Sequence, residues 1–176
     1  GYVNEDFVIK KYNPVVITSF KIDFKGKKVI TDKGVFNYDK LIISLGHKQN
    51  LPRVKGAREY AMKIETLEDA KKIREKVKEV KHVVVIGGGA TGVEIAGNLK
   101  LKRRELNVTL VQRRERLLPT MTTASSEKAR KLLEEIGVNV MLKTEALEVK
   151  KDSVITDHGE IKSELTVFAG GLKGPE

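Results

Sequence analysis

Three glycines spaced as Gly87-x-Gly89-x-x-Gly92 are the residues of this sequence best suited to chemistry, and the chemistry they suit is holding a phosphate. Gly87 would permit a tight turn out of a strand, and Gly89 would leave room for a pyrophosphate to approach the backbone. Gly92 would let a following helix lie close against a sheet. Gly88, Ala90, Thr91 and Val93 fill out the loop and the first helical turn. The free N–H groups there, aligned with the helix dipole, favour a diphosphate. Such a pattern alone is weak evidence, because it has meaning only between a strand and a helix.

A second group of candidates follows about 20 residues on, where a dinucleotide-binding fold carries Asp or Glu to accept hydrogen bonds from the adenosine ribose. This sequence has Gln112 there, followed by Arg113, Arg114 and Arg116. Without the carboxylate, repulsion toward a ribose 2′-phosphate is gone, and the Arg113 guanidinium could pair with that phosphate. On this reading NADPH binds more tightly than NADH, Arg113→Ala removes most of the difference and Gln112→Glu reverses it. The plainer alternative makes residues 113–116 a solvated loop, with Gln112 still able to hydrogen-bond a ribose.

The elements around these residues supply the context the pattern requires. The run Val83 to Ile86 leads straight into Gly87, as a strand buried on both faces should. A helix is expected from near Thr91 to about Arg104, then a strand at 107–113. A second helix, capped by Ser125 and stopped by Gly137, leads to a third strand in "VNVMLK". Residues 146–163 read as a meander and "LTVFAGG" as the closing strand. Strand, helix, strand, helix, strand in this order implies a right-handed parallel sheet. Upstream, Thr66 and Asp69 form a capping-box start for a helix running to about residue 80, and 47–60 is a connector. Short strands are expected at 15–20, 22–25, 27–31 and 35–44, the last carrying the apolar run Leu41-Ile42-Ile43 as a buried strand closing at Gly46.

Composition excludes several classes of protein. With 40% hydrophobic and 33% charged residues, the chain is globular rather than disordered. No apolar run approaches the roughly 20 residues that span a bilayer, and no signal-peptide pattern opens the chain. Zero cysteines exclude disulfides, thiolate metal sites and a redox dithiol within this stretch, and His47, His82 and His158 have no metal-ligand spacing. The net charge of +10 suits an anionic partner, but the lysines follow helix faces and there is no nucleic-acid-binding motif. A lysine-rich solvated surface is the plainer explanation of the charge. The chain opens on Gly1 rather than Met, as expected of a processed or cloned piece.

The sequence also repeats itself. Residues 29–46, "VITDKGVFNYDKLIISLG", align without a gap on residues 154–171, "VITDHGEIKSELTVFAGG", 125 positions later. Val29, Ile30, Thr31, Asp32 and Gly34 match Val154, Ile155, Thr156, Asp157 and Gly159.

With the glycine loop, "RLLP" at 116–119, "LEEIGVNV" and "TVFAGG" in place, the chain resembles the pyridine nucleotide-disulfide oxidoreductase superfamily, flavoproteins with two dinucleotide-binding domains. "GGGATGVEIAGNL" and "FAGGLKG" are most similar to its type II NADH dehydrogenases and NADH-oxidase-like members. In that family an NAD(P)-binding domain interrupts an FAD-binding domain, and both halves share one plan. The resemblance implies an α/β fold: a Rossmann-like parallel sheet with an inserted antiparallel β-meander, preceded by a partial FAD-domain meander. It divides the chain into the end of the FAD half at 1–48, a connector and helix at 49–80, and an NAD(P)-binding domain at 81–176. Shifted back by 125 positions, Gly87 would fall ahead of Gly1, so the FAD-side phosphate loop is expected to lie outside this chain. Ser44-Leu45-Gly46 stands where the family has Ala-Thr-Gly, which weakens any flavin contact by residue 45.

The resemblance further implies that Glu94 sits near the junction of nicotinamide and flavin, with Gly170 and Gly171 lining the nicotinamide end. The competing reading makes Glu94 a first-turn carboxylate favouring the helix dipole. The intact protein would be an NAD(P)H:acceptor oxidoreductase passing hydride to FAD, and the cofactors supply the chemistry, so no residue is assigned a catalytic role. This chain alone would be inactive and would not retain FAD. A fragment of a disulfide reductase, or a non-catalytic dinucleotide-binding module, remains an alternative. The absence of Cys excludes only the branch whose cysteine pair lies in the NAD domain. Expected partners are a nicotinamide dinucleotide, the remaining FAD-domain segments and, through open strand edges, a second copy of the chain. No nucleic acid or integral membrane segment is expected. The implied setting is cytoplasmic, with the intact protein peripheral at the cytoplasmic membrane face.

Overall fold

The structure, a computed structural model, describes residues 20–44, 48–49, 54–170 and 172–173. The chain divides into two compact units, residues 1–44 and 45–176. In the first, β1 (Phe20–Asp23), β2 (Lys28–Thr31) and β3 (Gly34–Asn37) form an antiparallel sheet in that order. The second contains β4 (Lys48–Gln49), α1 (Ala57–Tyr60), β5 (Ala61–Lys63), α2 (Leu67–Val77) and β6 (His82–Ile86). After these come α3 (Ala90–Lys102), β7 (Asn107–Gln112), α4 (Thr123–Glu135) and β8 (Asn139–Leu142). The chain then runs through β9 (Ala146–Val149), β10 (Ser153–Thr156), β11 (Gly159–Lys162), β12 (Leu165–Phe168) and β13 (Leu172–Lys173).

Strands β5-β12-β6-β7-β8 make one five-stranded sheet with every pairing parallel. β6 lies between two neighbours and is buried on both faces, which is why its sequence is a continuous apolar run. Val83 and Val85 enter a core with Ile73 and Val77 of α2, Ala96 of α3 and Leu133 of α4. Val84 and Ile86 face the opposite way, against Ala57 of α1 and Ala146, Val149 and Val154 of the meander. α2, α3 and α4 therefore cover one face, and the antiparallel β9-β10-β11 sheet, with α1 beside it, covers the other. The expected fold class, an α/β Rossmann-like sheet with an inserted meander, is the one observed.

The internal repeat is structural as well. β2 and β3 map onto β10 and β11 at the same 125-residue offset. Each turn is built alike. Thr31 Oγ1 donates to the Gly34 carbonyl at 2.9 Å and accepts from the Lys33 N–H at 3.0 Å. Thr156 Oγ1 does the same with Gly159 and His158, at 2.8 and 3.1 Å. Gly34 and Gly159 have φ of 129° and 118°, a region open to glycine and not to the residues around it.

Several local expectations are corrected. Residues 41–44 form no strand, and Ile42 is 91% exposed. A buried strand needs ladder partners on its flanks, and no pairing of 41–44 exists among the described residues. The strands read at 22–25 and 27–31 shift because residues 24–27 form the turn, with Lys27 at φ 48°. The strand read at 15–20 lies outside the described residues except for Phe20, as do Leu45 and Gly46. α4 is capped by Thr122, whose side chain accepts the Ser125 N–H, so Ser125 is the recipient rather than the cap. α2 begins with the expected capping box of Thr66 and Asp69 but ends at Val77, before residue 80. Within 49–80 the sequence also hid α1 and β5. β5 is only three residues long and joins the sheet through β12, a partner about 100 residues away, so no local period marks it.

Candidate functional site

The glycine loop leaves the end of β6 and enters α3. Gly87 has φ 116° and donates its N–H to the Val111 carbonyl at 2.9 Å, which ties the turn to β7. A side chain there would begin 2.9 Å from Gly170 Cα, so the loops after β6 and β12 touch backbone to backbone. Gly88 is bedded beneath the next connection: a Cβ would lie 2.7 Å from Leu117 Cδ2 and 2.9 Å from Gln112 Cβ. Gly89 differs, since nothing lies within 4 Å of the position its Cβ would take. At Gly92 a Cβ would fall 1.8 Å from the Gly87 carbonyl oxygen, so α3 can approach the loop only with glycine at that position.

Among the described residues, the three helices longer than one turn begin differently. Thr66 caps α2 and Thr122 caps α4 with their side chains. Gly89, at the N-cap of α3, has no side chain with which to do so. An α-helix presents N–H groups without intrahelical partners in its first turn. At α3 these belong to Ala90, Thr91 and Gly92, next to the open space at Gly89. That combination suits an anionic group.

Gln112 ends β7 and is buried. Its carboxamide bridges two loops: Oε1 accepts the Gly88 N–H at 3.4 Å, and Nε2 donates to the Arg116 carbonyl at 3.1 Å. The Gly88 carbonyl in turn accepts the Leu118 N–H at 2.7 Å. The "RLLP" segment is thus fastened to the glycine loop by hydrogen bonds and by the buried side chain of Leu117. Arg116 turns to Thr123 Oγ1 at 3.2 Å and the Pro119 carbonyl at 3.0 Å. Arg113 remains at the surface, with Nη1 3.4 Å from Glu145 Oε1.

A cleft of about 260 Å³ opens at the carboxyl ends of β6, β7 and β12. Gly87, Gln112, Arg113, Glu145, Phe168 and Gly170 line it. Crevices at strand carboxyl ends are where open α/β sheets take their ligands. The structure therefore brings Gly87, Gln112, Arg113 and Gly170 to one place. Gly171 lies outside the described residues.

Glu94 stands apart. It lines a separate recess between α2 and α3, with Ile73, Arg74, Val77 and Ile95 among its neighbours. Because α3 starts at Ala90, Glu94 falls beyond the first turn, and the first turn holds no acidic residue. This corrects the dipole reading, since the helix-terminal field falls off within that turn. Sequence reasoning took Leu117 and Leu118 only as part of the "RLLP" motif, with no role, and passed over Glu145. Glu145 is 32 residues from Arg113, and only the pairing of β7 with β8 brings the two together.

Among the described residues no cluster of His, Asp or Glu could hold a metal, and no helix is long and apolar enough to cross a membrane. Some of the basic residues are paired along helices: Lys78, at the end of α2, with Glu75 at 2.6 Å and Arg130 of α4 with Glu134 at 2.8 Å.

The family model described as pyridine nucleotide-disulphide oxidoreductase matches residues 8–175. The type II NADH:quinone oxidoreductase of Staphylococcus saprophyticus is 28% identical, over 98% of this chain and 49% of its own length. The NADH dehydrogenase-like protein YutJ of Bacillus subtilis is also 28% identical, over 86% of this chain and 44% of that protein. The chain spans about half the length of the curated relatives it matches. Among solved structures, NDH2 from Plasmodium falciparum in complex with NADH is similar with a TM-score of 0.68 at 23% identity, covering 88% of this chain and 40% of that one. A ferredoxin reductase from Rhodopseudomonas palustris gives 0.75 at 23% identity, covering 97% and 44%. At that identity the structural likeness speaks for the fold.

Proposed function

The chain belongs to the pyridine nucleotide-disulphide oxidoreductase family, and on that premise we propose that residues 81–176 are the NAD(P)H-binding domain of an FAD-dependent, NADH dehydrogenase-like oxidoreductase. Residues 1–48 would be the end of its interrupted FAD half, and 49–80 the connector and helix between them. The observation that carries this reading is the open space at Gly89, beside a helix start that, unlike those of α2 and α4, has no side-chain cap. A diphosphate placed there would meet the N–H groups of Ala90, Thr91 and Gly92. Gly88 and Gly92 have no spare room, which keeps the loop in a shape ready to bind.

From the diphosphate, one arm of the ligand would run toward Gln112 and Arg113 and the other toward Gly170. Arg113 inclines the site toward NADPH. On the family's plan Glu94 would lie toward the junction of nicotinamide and flavin, whereas Val93 gives its N–H to the Gly89 carbonyl and packs on the core. When bound, NAD(P)H supplies a hydride, which the FAD of the intact protein accepts. The residues of this chain bind and orient the dinucleotide, and none needs to exchange a proton. The electron acceptor of the intact protein belongs to one of four classes: quinone, oxygen, a disulfide or a carrier protein.

Calorimetric titration with NADH and NADPH tests this reading, with Gly89→Val as control. The Gly89 backbone has φ −76° and ψ −176°, a conformation valine adopts freely. No protein atom is close enough to resist the side chain. The variant should therefore melt near the wild type yet lose most of its dinucleotide affinity. Equal affinity in the two proteins would place the ligand elsewhere.

A further inference from the structure

We propose that Glu145, facing Arg113 at the rim of the cleft, is a specificity-determining residue that holds the preference for NADPH in check. This inference rests on the NAD(P)H-binding reading and adds to it a residue supplied by a different part of the chain. At the end of β7 the usual acidic residue is replaced by Gln112, whose carboxamide is turned into the loops. A carboxylate nevertheless reaches that corner of the cleft. It comes from the connection between β8 and β9, where Glu145 Oε1 lies 3.4 Å from Arg113 Nη1.

The position of Glu145 is built. Its N–H donates to Asp157 Oδ1 at 2.9 Å, and its carbonyl accepts the Asp157 N–H at 3.2 Å. Next to it, Thr144 donates its N–H to the Gln112 carbonyl at 3.1 Å, which fixes the connection to the end of β7. The side chain is half exposed and free to turn toward a ligand.

The two side chains offer opposite recognition chemistry. A carboxylate accepts hydrogen bonds from the two hydroxyls of an adenosine ribose. A guanidinium pairs with a 2′-phosphate. An exposed ion pair of this kind is weak enough to open for either ligand. A 2′-phosphate that draws Arg113 away leaves Glu145 unpaired beside two further negative charges, whereas a ribose diol can be taken by Glu145 without that repulsion. Residue 145 therefore counts against NADPH and for NADH, in opposition to Arg113.

The test is a titration of the chain with NADH and with NADPH at low and high salt. Glu145→Gln keeps the length and hydrogen-bonding capacity of the side chain while removing its charge. It should raise the affinity ratio of NADPH to NADH by roughly tenfold at low salt, less as salt rises. Arg113→Ala should move the ratio the other way. Both side chains are exposed, so melting temperatures should stay near that of the wild type. A ratio unchanged by Glu145→Gln, with both dinucleotides still bound, would overturn the inference and leave the binding reading standing. Failure of the unmutated chain to bind either dinucleotide would remove both.

Discussion

Gln112 illustrates how much one side chain can be asked to do. Read in the sequence, it is a missing carboxylate. In the fold it is a brace, accepting from Gly88 and donating to Arg116. A carboxylate could accept the Gly88 N–H more strongly but has no hydrogen to give the Arg116 carbonyl. Gln112→Glu should thus do more than reverse the cofactor preference. It sets two acceptors against each other in a buried position, a change that costs about 1–3 kcal/mol. A clear drop in melting temperature, with weaker binding of both dinucleotides, is the expected result. An unchanged melting temperature would mean that the amide does not hold the two loops together.

Among the elements, α2 depends most visibly on a local signal. Asp69 accepts the N–H groups of Glu65 and Thr66 at 3.0 Å each, and Thr66 Oγ1 accepts the Asp69 N–H at 3.1 Å. Thr66→Ala should cost about 1 kcal/mol in urea unfolding. The Glu65 N–H holds the Asp69 carboxyl below its ordinary range against the opposing effect of burial, with help from the Thr66 N–H and hydroxyl. With the folded value the lower one, the stabilisation is complete above the unfolded carboxyl pKa of about 3.9 and is lost as pH falls through the folded value. The stability gap between wild type and Asp69→Ala should accordingly be constant near neutrality and narrow below about pH 4. A gap that persists in acid would show that the charged carboxylate is not what closes the cap.

At the scale of the whole molecule, two dinucleotides would need two phosphate cradles, and only residues 87–92 of this sequence carry the glycine spacing for one. The purified chain should therefore bind NAD(P)H and emerge without stoichiometric flavin absorbance near about 450 nm. It should oxidise NAD(P)H no faster than free flavin does. A yellow preparation with one flavin per chain would contradict the division into a complete NAD(P)-binding domain and a partial FAD half.

What the sequence determined by itself was whatever depends on neighbours in the chain. The buried strand before Gly87, the Thr66 capping box, the Gly137 stop and the 125-residue repeat are all local patterns, and the structure contains each of them. Tertiary structure decided the rest. Leu41-Ile42-Ile43 has the composition of a core strand, yet Ile42 is exposed, because a strand exists only where another strand accepts its hydrogen bonds. β5 has almost no signal of its own and is fixed by pairing with β12. Glu145 meets Arg113 because β8 runs parallel to β7, bringing together charges that nothing in the linear order connects. A hydrophobic period records which face a residue turns to the core, but only the completed sheet decides which loops meet at its edge.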